Sequence, residues 1–163
     1  MISLSALENI ALRKKTDQSS YMEPPTDNSN LAVDGNINGM YFVGSSCSHT
    51  ASQSTLPWWR VDFGEEATVK SVFIANRLDE CCDERLNNFT IYVGSQAGDG
   101  GTANSVCQKD ISMKNIATKL FTCSKNLNGR YLHIKSSLNE SLNLCEVEVY
   151  GKINCPNELP SSG

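Results

Sequence analysis

The chain has 163 residues, room for one domain with a real hydrophobic core and too few for a large multi-domain enzyme. Hydrophobic residues make up 39% and charged ones 20%, which excludes a disordered chain, and no apolar run approaches the length of a membrane-spanning helix. A formal net charge of -4, without the clustered Lys and Arg of a nucleic-acid binder, excludes that class as well.

In chain order, the opening residues lack the basic region and apolar core of a signal peptide, so residues 1–7 read as a leader outside the domain. Residues 24–38 are rich in turn formers. Trp59, Val61 and Phe63 then alternate with Trp58, Arg60 and Asp62, the period-two pattern of a half-buried strand, and residues 71–75 read as a more continuously buried strand. Phe89, Ile91 and Val93 alternate with Thr90 and Tyr92, and turns return over residues 94–104. Leu132 and Ile134 form the next apolar pair; His133 between them reads as a strand residue facing solvent or a neighbour, with no ligand role. After a turn-rich stretch at 136–143, Cys145, Val147 and Val149 alternate once more. Helical periodicity is scarce, so the fold class is all-β, an antiparallel sandwich or jelly-roll barrel. The domain spans 8–151, and the Pro/Ser content of 152–163 reads as a tail or linker.

Seven cysteines without paired CxxC spacing favour disulfides over zinc. Two glycosylation sequons, at Asn88 and Asn139, agree with an oxidising compartment. Together they indicate a secreted or cell-surface protein.

The most informative segment is Arg77-Leu-Asp-Glu-Cys-Cys-Asp-Glu-Arg85, a loop between two predicted strands. Its charges could form a solvated cluster of little energetic weight. The adjacent cysteines point elsewhere: consecutive Cα atoms lie about 3.8 Å apart, below the usual disulfide range, so a Cys81–Cys82 bond would close a small strained ring with a flat sulfur surface. The alternative is that each pairs with a distant cysteine.

With His49 upstream, these residues resemble the F-type lectins, the fucose-binding fucolectin family typified by eel agglutinin, whose fold is a discoidin-like jelly roll. The pattern is a His, then Arg-x-Asp and a second basic residue flanking a Cys-Cys pair, matched by His49, Arg77, Asp79, Cys81, Cys82 and Arg85. Ala32-Val-Asp-Gly-Asn36, Pro57-Trp-Trp-Arg-Val-Asp62 and Leu144-Cys-Glu-Val-Glu148 extend the resemblance over residues 8–151. Two departures stand out. The spacing from His49 to Arg77 is one residue longer than the family's, in the loop before Trp58, and Glu80 is an extra residue between Asp79 and the cysteines. The second leaves open whether Asp79 or Glu80 orients the arginines.

The resemblance implies that His49, Arg77 and Arg85 grip the axial 4-hydroxyl, the 3-hydroxyl and the ring oxygen of terminal L-fucose. Guanidiniums offer fixed donors, and a neutral imidazole both donates and accepts. Asp79 between the arginines would limit their repulsion. Tyr41 and Phe42 are candidates for contact with the 6-methyl group, with Tyr21 and Met22 behind them. Asp34-Gly-Asn36 alone reads as a turn, but the resemblance implies a structural calcium held by Leu31, Asp34, Asn36, Ser46, Cys145 and Glu146, partly through backbone carbonyls, an oxygen set suited to a hard cation. It also pairs Cys47 with Cys145 and Cys107 with Cys123, leaving Cys155 over.

No enzyme is expected. Asp79, Glu80, Asp83 and Glu84 crowd one loop, a poor arrangement for straddling a glycosidic bond. The competing reading is a discoidin-like adhesion module for another glycan, a lipid or a protein. Fucosylated glycans are the expected partners, without membrane insertion. One weak monosaccharide site would need self-association or tandem modules for avidity.

Overall fold

The computed structural model describes residues 7–23 and 28–155. The leader reading, apart from Leu7, and the tail from residue 156 onward lie outside the described residues.

Among the described residues nine strands carry the fold: β1 (Glu8–Asn9), β2 (Lys15–Gln18), β3 (Ser48–His49), β4 (Trp58–Ala75), β5 (Asn87–Gly94), β6 (Ser105–Ser112), β7 (Thr118–Ser136), β8 (Asn143–Leu144) and β9 (Glu146–Ile153). A one-turn helix, α1, spans Tyr41–Gly44, and 3-10 turns occupy Ser29–Val33 and Asp99–Gly101. The main sheet runs β1-β9-β4-β7-β5-β6, with β2 pairing off this path on the β4 edge away from β7, and β3 pairs with β8 in a small separate ribbon. All of these pairings are antiparallel. The architecture is the all-β jelly roll expected from the alternation of the sequence.

β4 and β7 are long because each serves two parts of the sandwich. β2 pairs with β4 at residues 59–62, whereas β9 pairs with its second half, from Ala67 to Ala75. Between them the β4–β7 register shifts twice, after Asp62 and after Val69. Gly64 sits at the first shift with φ 88°, a left-handed conformation that a side chain would strain. Sequence alternation found the two halves of β4 as separate strands. It missed β2, β6 and the first half of β7, whose outward residues leave little apolar signal.

The predicted inward faces are the core. Trp59, Val61, Phe63, Phe89, Ile91, Val93, Leu132, Ile134, Val147 and Val149 all belong to one buried cluster, each large side chain contributing about 1.5–3 kcal/mol of transfer free energy. Val72 and Ile74 join them, while Ala75 packs with Cys47 and Cys145 in a satellite cluster. β9 continues two residues beyond the predicted domain end at Gly151, pairing Ile153 with Ala67.

His133 does not face solvent. It is fully buried, between Trp58 and Tyr131 and beneath Gly101, where an added Cβ would stand 2.4 Å from the imidazole. A turn lacking side chains at that point roofs the ring, so of the two expected surroundings, solvent or a neighbour, the neighbour is the one found. Burial pushes its pKa down to about 4, opposed by the Ala97 carbonyl and reinforced by Arg60 and Lys135.

Ala75, the last paired residue of β4, lies opposite Glu146, the first of β9. Arg77 therefore leaves the sheet beside the Cys47–Cys145 disulfide, and the β3–β8 ribbon continues at that end.

Candidate functional site

Asn76 fixes the start of the 77–86 loop, donating from Nδ2 to the carbonyls of Asp83 (2.9 Å) and Met113 (3.0 Å). Arg77 follows it inward and is 1% exposed. Its Nε donates to Asp79 Oδ2 at 2.7 Å and its Nη1 to Asn143 Oδ1 at 3.3 Å, while Nη2 lies 3.8 Å from Cys81 Sγ. The guanidinium carbon stands 4.2 Å from the Tyr41 ring centre and 4.7 Å from that of Phe42, a cation–π enclosure by α1.

Asp79, not Glu80, orients this arginine; Glu80 is exposed. Asp79 Oδ2 also accepts the Tyr41 N–H at 3.0 Å. Burial opposes its ionisation, yet the bonds from Arg77, Tyr41 and Phe42 outweigh burial and hold its carboxyl below the ordinary value. Arg85 has no carboxylate at ion-pair distance among the described residues, so Asp79 serves one arginine rather than sitting between two.

Cys81 and Cys82 are bonded to each other, which removes the alternative of distant partners. Cys82 N–H donates to the Asp79 carbonyl (2.8 Å), and Arg85 N–H to the Cys82 carbonyl (3.2 Å), so the disulfide lies in a tight turn that carries Arg85 round toward β3. Cys81 is exposed and Cys82 buried. The loop is no solvated cluster, although Glu84 does make a surface pair with Lys114 at 2.9 Å. The other two implied bridges, Cys47–Cys145 and Cys107–Cys123, are both formed, and Cys155 is free and exposed.

His49 is held in β3 by its carbonyl, which accepts from Gln18 Nε2 (3.0 Å) and Met22 N–H (3.4 Å). Its Nδ1 lies 2.6 Å from the Thr50 carbonyl, which can only accept, so Nδ1 carries the proton and Nε2 presents a lone pair. That lone pair faces Arg85 Nη1 at 3.4 Å. The Tyr41 ring is centred 5.3 Å from the imidazole. Thus His49, Arg77, Arg85, Asp79, the disulfide and the two aromatics converge, while Met22 meets the His49 carbonyl and Ser52 Oγ and Tyr21 donates to Asp17 at 3.3 Å. Sequence reasoning missed Asn76, Asn143 and Gln18. Asn143 is buried, and a polar residue flanked by Leu142 and Leu144 was the available signal.

Arg85, half-buried, opens on a pocket of about 230 Å³ lined also by Ser52, Gln53, Asn139, Glu140 and Ser141. On the opposite side the surface is apolar, with Ile37, Met40, Phe42, Val43 and Leu78 exposed.

The implied calcium residues lie on one side of this end. Glu146 is fully buried, accepts the Gly35 N–H at Oε2 (3.1 Å), and pairs with no Lys or Arg among the described residues. Burial, then the nearby Asp34 carboxylate, pushes its pKa up to about 8. Asp34 Oδ1 and Asn36 Oδ1 accept the N–H groups of Asn36 (2.8 Å) and Asn38 (3.0 Å), and Ser46 Oγ donates to the Asn38 carbonyl. No cluster of three or more His, Cys, Asp or Glu occurs among the described residues. Two neighbouring carboxylates with no Lys or Arg partner among the described residues, and with the Asn36 amide close in sequence, nevertheless fit a hard cation.

A family model described as "NedA-like, galactose-binding domain" matches residues 31–134. The fucolectin of Anguilla anguilla is 39% identical over 145 residues, 87% of this chain and 90% of that protein. The chain belongs to the fucolectin family, the F-type lectins. The F-lectin of striped bass serum superposes with a TM-score of 0.80 at 35% identity, covering 93% of this chain; the chain spans about half of that protein's length, 51%. The lectin domain of lectinolysin, solved with Lewis B antigen, gives 0.71 at 32% identity over 87% of this chain and 95% of that one. This F-type lectin is a carbohydrate-binding protein rather than an enzyme.

Proposed function

We propose that this lectin binds terminal L-fucose on glycans outside the cell through His49, Arg77 and Arg85. The observation that carries the reading is the meeting of His49 Nε2 and Arg85 Nη1 at 3.4 Å across 36 residues of sequence, beside an arginine locked by Asp79. Two guanidiniums with fixed N–H donors and one imidazole nitrogen that accepts suit a pattern of adjacent sugar hydroxyls, and a hydroxyl missing from the sugar leaves one of them unpaired. The Cys81–Cys82 face supplies a flat polarizable surface for the sugar C–H groups, and Tyr41 or Phe42 the contact for the 6-methyl. Arg77 lies under Phe42, whose outer side is 72% exposed, so entry of the sugar requires that ring to turn aside.

A calcium would be held by Asp34 and Glu146 carboxylates, the Asn36 amide and the carbonyls of Leu31, Ser46 and Cys145. Bound there, it would neutralise the buried Glu146 and fix the loop that leads into α1. The disulfides, and the serum source of the striped bass F-lectin, support a secreted protein. A single site of this size binds in the micromolar to millimolar range, about -8 to -4 kcal/mol, so self-association or tandem modules supply avidity.

The test is calorimetric titration of L-fucose and D-galactose, in calcium, against the native chain and Arg85→Ala. Fucose-selective heat that vanishes in the variant supports the reading; a folded native chain giving heat with neither sugar overturns it. A second reading, a discoidin-like adhesion module for a lipid, is favoured by the exposed apolar group around Phe42. Vesicle sedimentation that free fucose does not reverse would establish it instead.

A further inference from the structure

The fucose reading gives no task to the Asn139-Glu140-Ser141 sequon, yet the fold places it at the site. The 137–142 loop joins β7 to β8 and is pinned at both ends. Leu138 N–H donates to Ser136 Oγ at 3.0 Å, Leu142 N–H to Thr50 Oγ1 at 2.8 Å, and Thr50 N–H to the Leu142 carbonyl at 3.1 Å. Thr50 follows His49, so this loop is fixed against the backbone of the binding histidine.

Asn139 itself is exposed. Its Oδ1 accepts the Leu56 N–H at 3.3 Å, and its Nδ2 has no hydrogen-bond partner among the described residues. N-linked transfer uses that nitrogen. The bond forms from Nδ2 to the anomeric carbon of an oligosaccharide carried on a lipid diphosphate, the lipid diphosphate leaves, and one amide proton is released. The carbonyl oxygen keeps its lone pairs, so the Leu56 contact survives attachment and directs the sugar outward. Asn139 and Arg85 line the same pocket.

We infer that Asn139 carries an N-linked oligosaccharide that stands at the mouth of the pocket beside Arg85 and restricts access to it. Free fucose passes, and branched fucosylated glycans are hindered. The second sequon provides an internal comparison. Asn88 is exposed at the start of β5, its carbonyl accepting Ser137 N–H at 2.8 Å, but it does not line the pocket. This inference rests on the fucose reading of Arg85 and on passage through a glycosylating secretory pathway.

The experiment expresses the native chain, Ser141→Ala and Thr90→Ala in a eukaryotic secretion host. Site occupancy is read by peptide mass before and after endoglycosidase treatment. Binding of L-fucose and of a branched difucosylated oligosaccharide is then measured by calorimetry, including on folded native protein stripped of its glycans enzymatically. The expected result is an occupied Asn139 that is vacant in Ser141→Ala. Enzymatic loss of that glycan, compared within the native chain and within Thr90→Ala, tightens the branched ligand about tenfold and leaves free fucose unchanged, while Thr90→Ala before stripping keeps the native ratio; Ser141→Ala is read for occupancy alone. An unmodified Asn139, or equal branched-ligand affinity with and without its glycan, overturns the inference. Failure of every form, stripped protein included, to bind fucose overturns the fucose reading and the gating with it; occupancy of Asn139 is still decided by mass alone.

Discussion

Arg77 Nε and Asp79 Oδ2 lie 2.7 Å apart with both residues almost wholly withdrawn from solvent, an enclosed ion pair between near neighbours in sequence. Removing one partner of such a pair strands the other charge, at a cost of about 3–5 kcal/mol. Asp79→Ala is therefore expected to lower the denaturant midpoint by that equivalent and to abolish sugar binding. Glu80→Ala, at an exposed position, is expected to stay within about 0.5 kcal/mol of the native stability. Urea unfolding of the two variants checks both.

Phe42 separates the two contributions of α1. Because it is exposed yet stacked on Arg77, Phe42→Ala is expected to leave the melting temperature nearly unchanged while weakening fucose binding about tenfold, or about 1.4 kcal/mol. Differential scanning calorimetry and titration on one preparation measure the two effects. A large loss of stability would assign the ring a structural part instead.

His133 sets a pH dependence of known sign. Its pKa falls from 6.5 in the unfolded chain to about 4 in the folded one, so between those values the unfolded state binds the extra proton. Stability is thus expected to hold above about pH 6.5 and to decline as pH drops toward 4. Arg60 and Lys135, the cations facing the ring, keep their charge throughout this window, and His133→Gln should flatten the slope in urea titrations run from pH 7 to 4.

The proposed calcium would act by mass action. If Asp34, Asn36 and Glu146 hold the ion, an excess of about 100 times Kd stabilises the fold by about 2.7 kcal/mol, and a chelator should lower the melting temperature reversibly. Glu146→Gln should remove most of that response. Equal melting curves with and without chelator would leave the buried carboxylate without this partner.

Cys47–Cys145 closes a loop across 98 positions of sequence and ties β3 to the start of β9. The paired Cys47→Ser, Cys145→Ser variant is expected to lose about 2–5 kcal/mol and to weaken fucose binding as well, because His49 lies two residues from the bridge. Denaturation with parallel titration tests the pairing of the two losses.

What the sequence could reveal depended on what each residue advertises. Trp59, Val61 and Phe63 or Phe89, Ile91 and Val93 alternate against polar neighbours, so their inward faces were readable from periodicity alone. Arg77, Asp79, Arg85 and the paired cysteines were legible as a spaced pattern, although nothing in it disclosed that Arg77 would be sealed under two aromatic rings. For His133 alternation left solvent and a neighbour both open, because it describes one strand, whereas the burial comes from a glycine turn some thirty residues away. β6 and the first half of β7 bury only Cys107, Ile111, Phe121, Cys123 and Leu127 against outward Lys, Asp and Asn, and the exposed Val106 and Leu120 blur their alternation.

The adjacency of β1 and β9 has a practical consequence. Glu8 lies opposite Gly151, while Glu146 at the other end of β9 lies opposite Ala75, two residues before Arg77. Seven steps of strand, roughly 23 Å at 3.3 Å per residue, separate the arginine end from the end where Glu8 and Ile153 sit together. An attachment made through either end, whether a tag, a bead or a neighbouring domain, leaves the sugar-facing pole pointing outward. Copies fixed side by side in this way would display all their sites to one opposing surface.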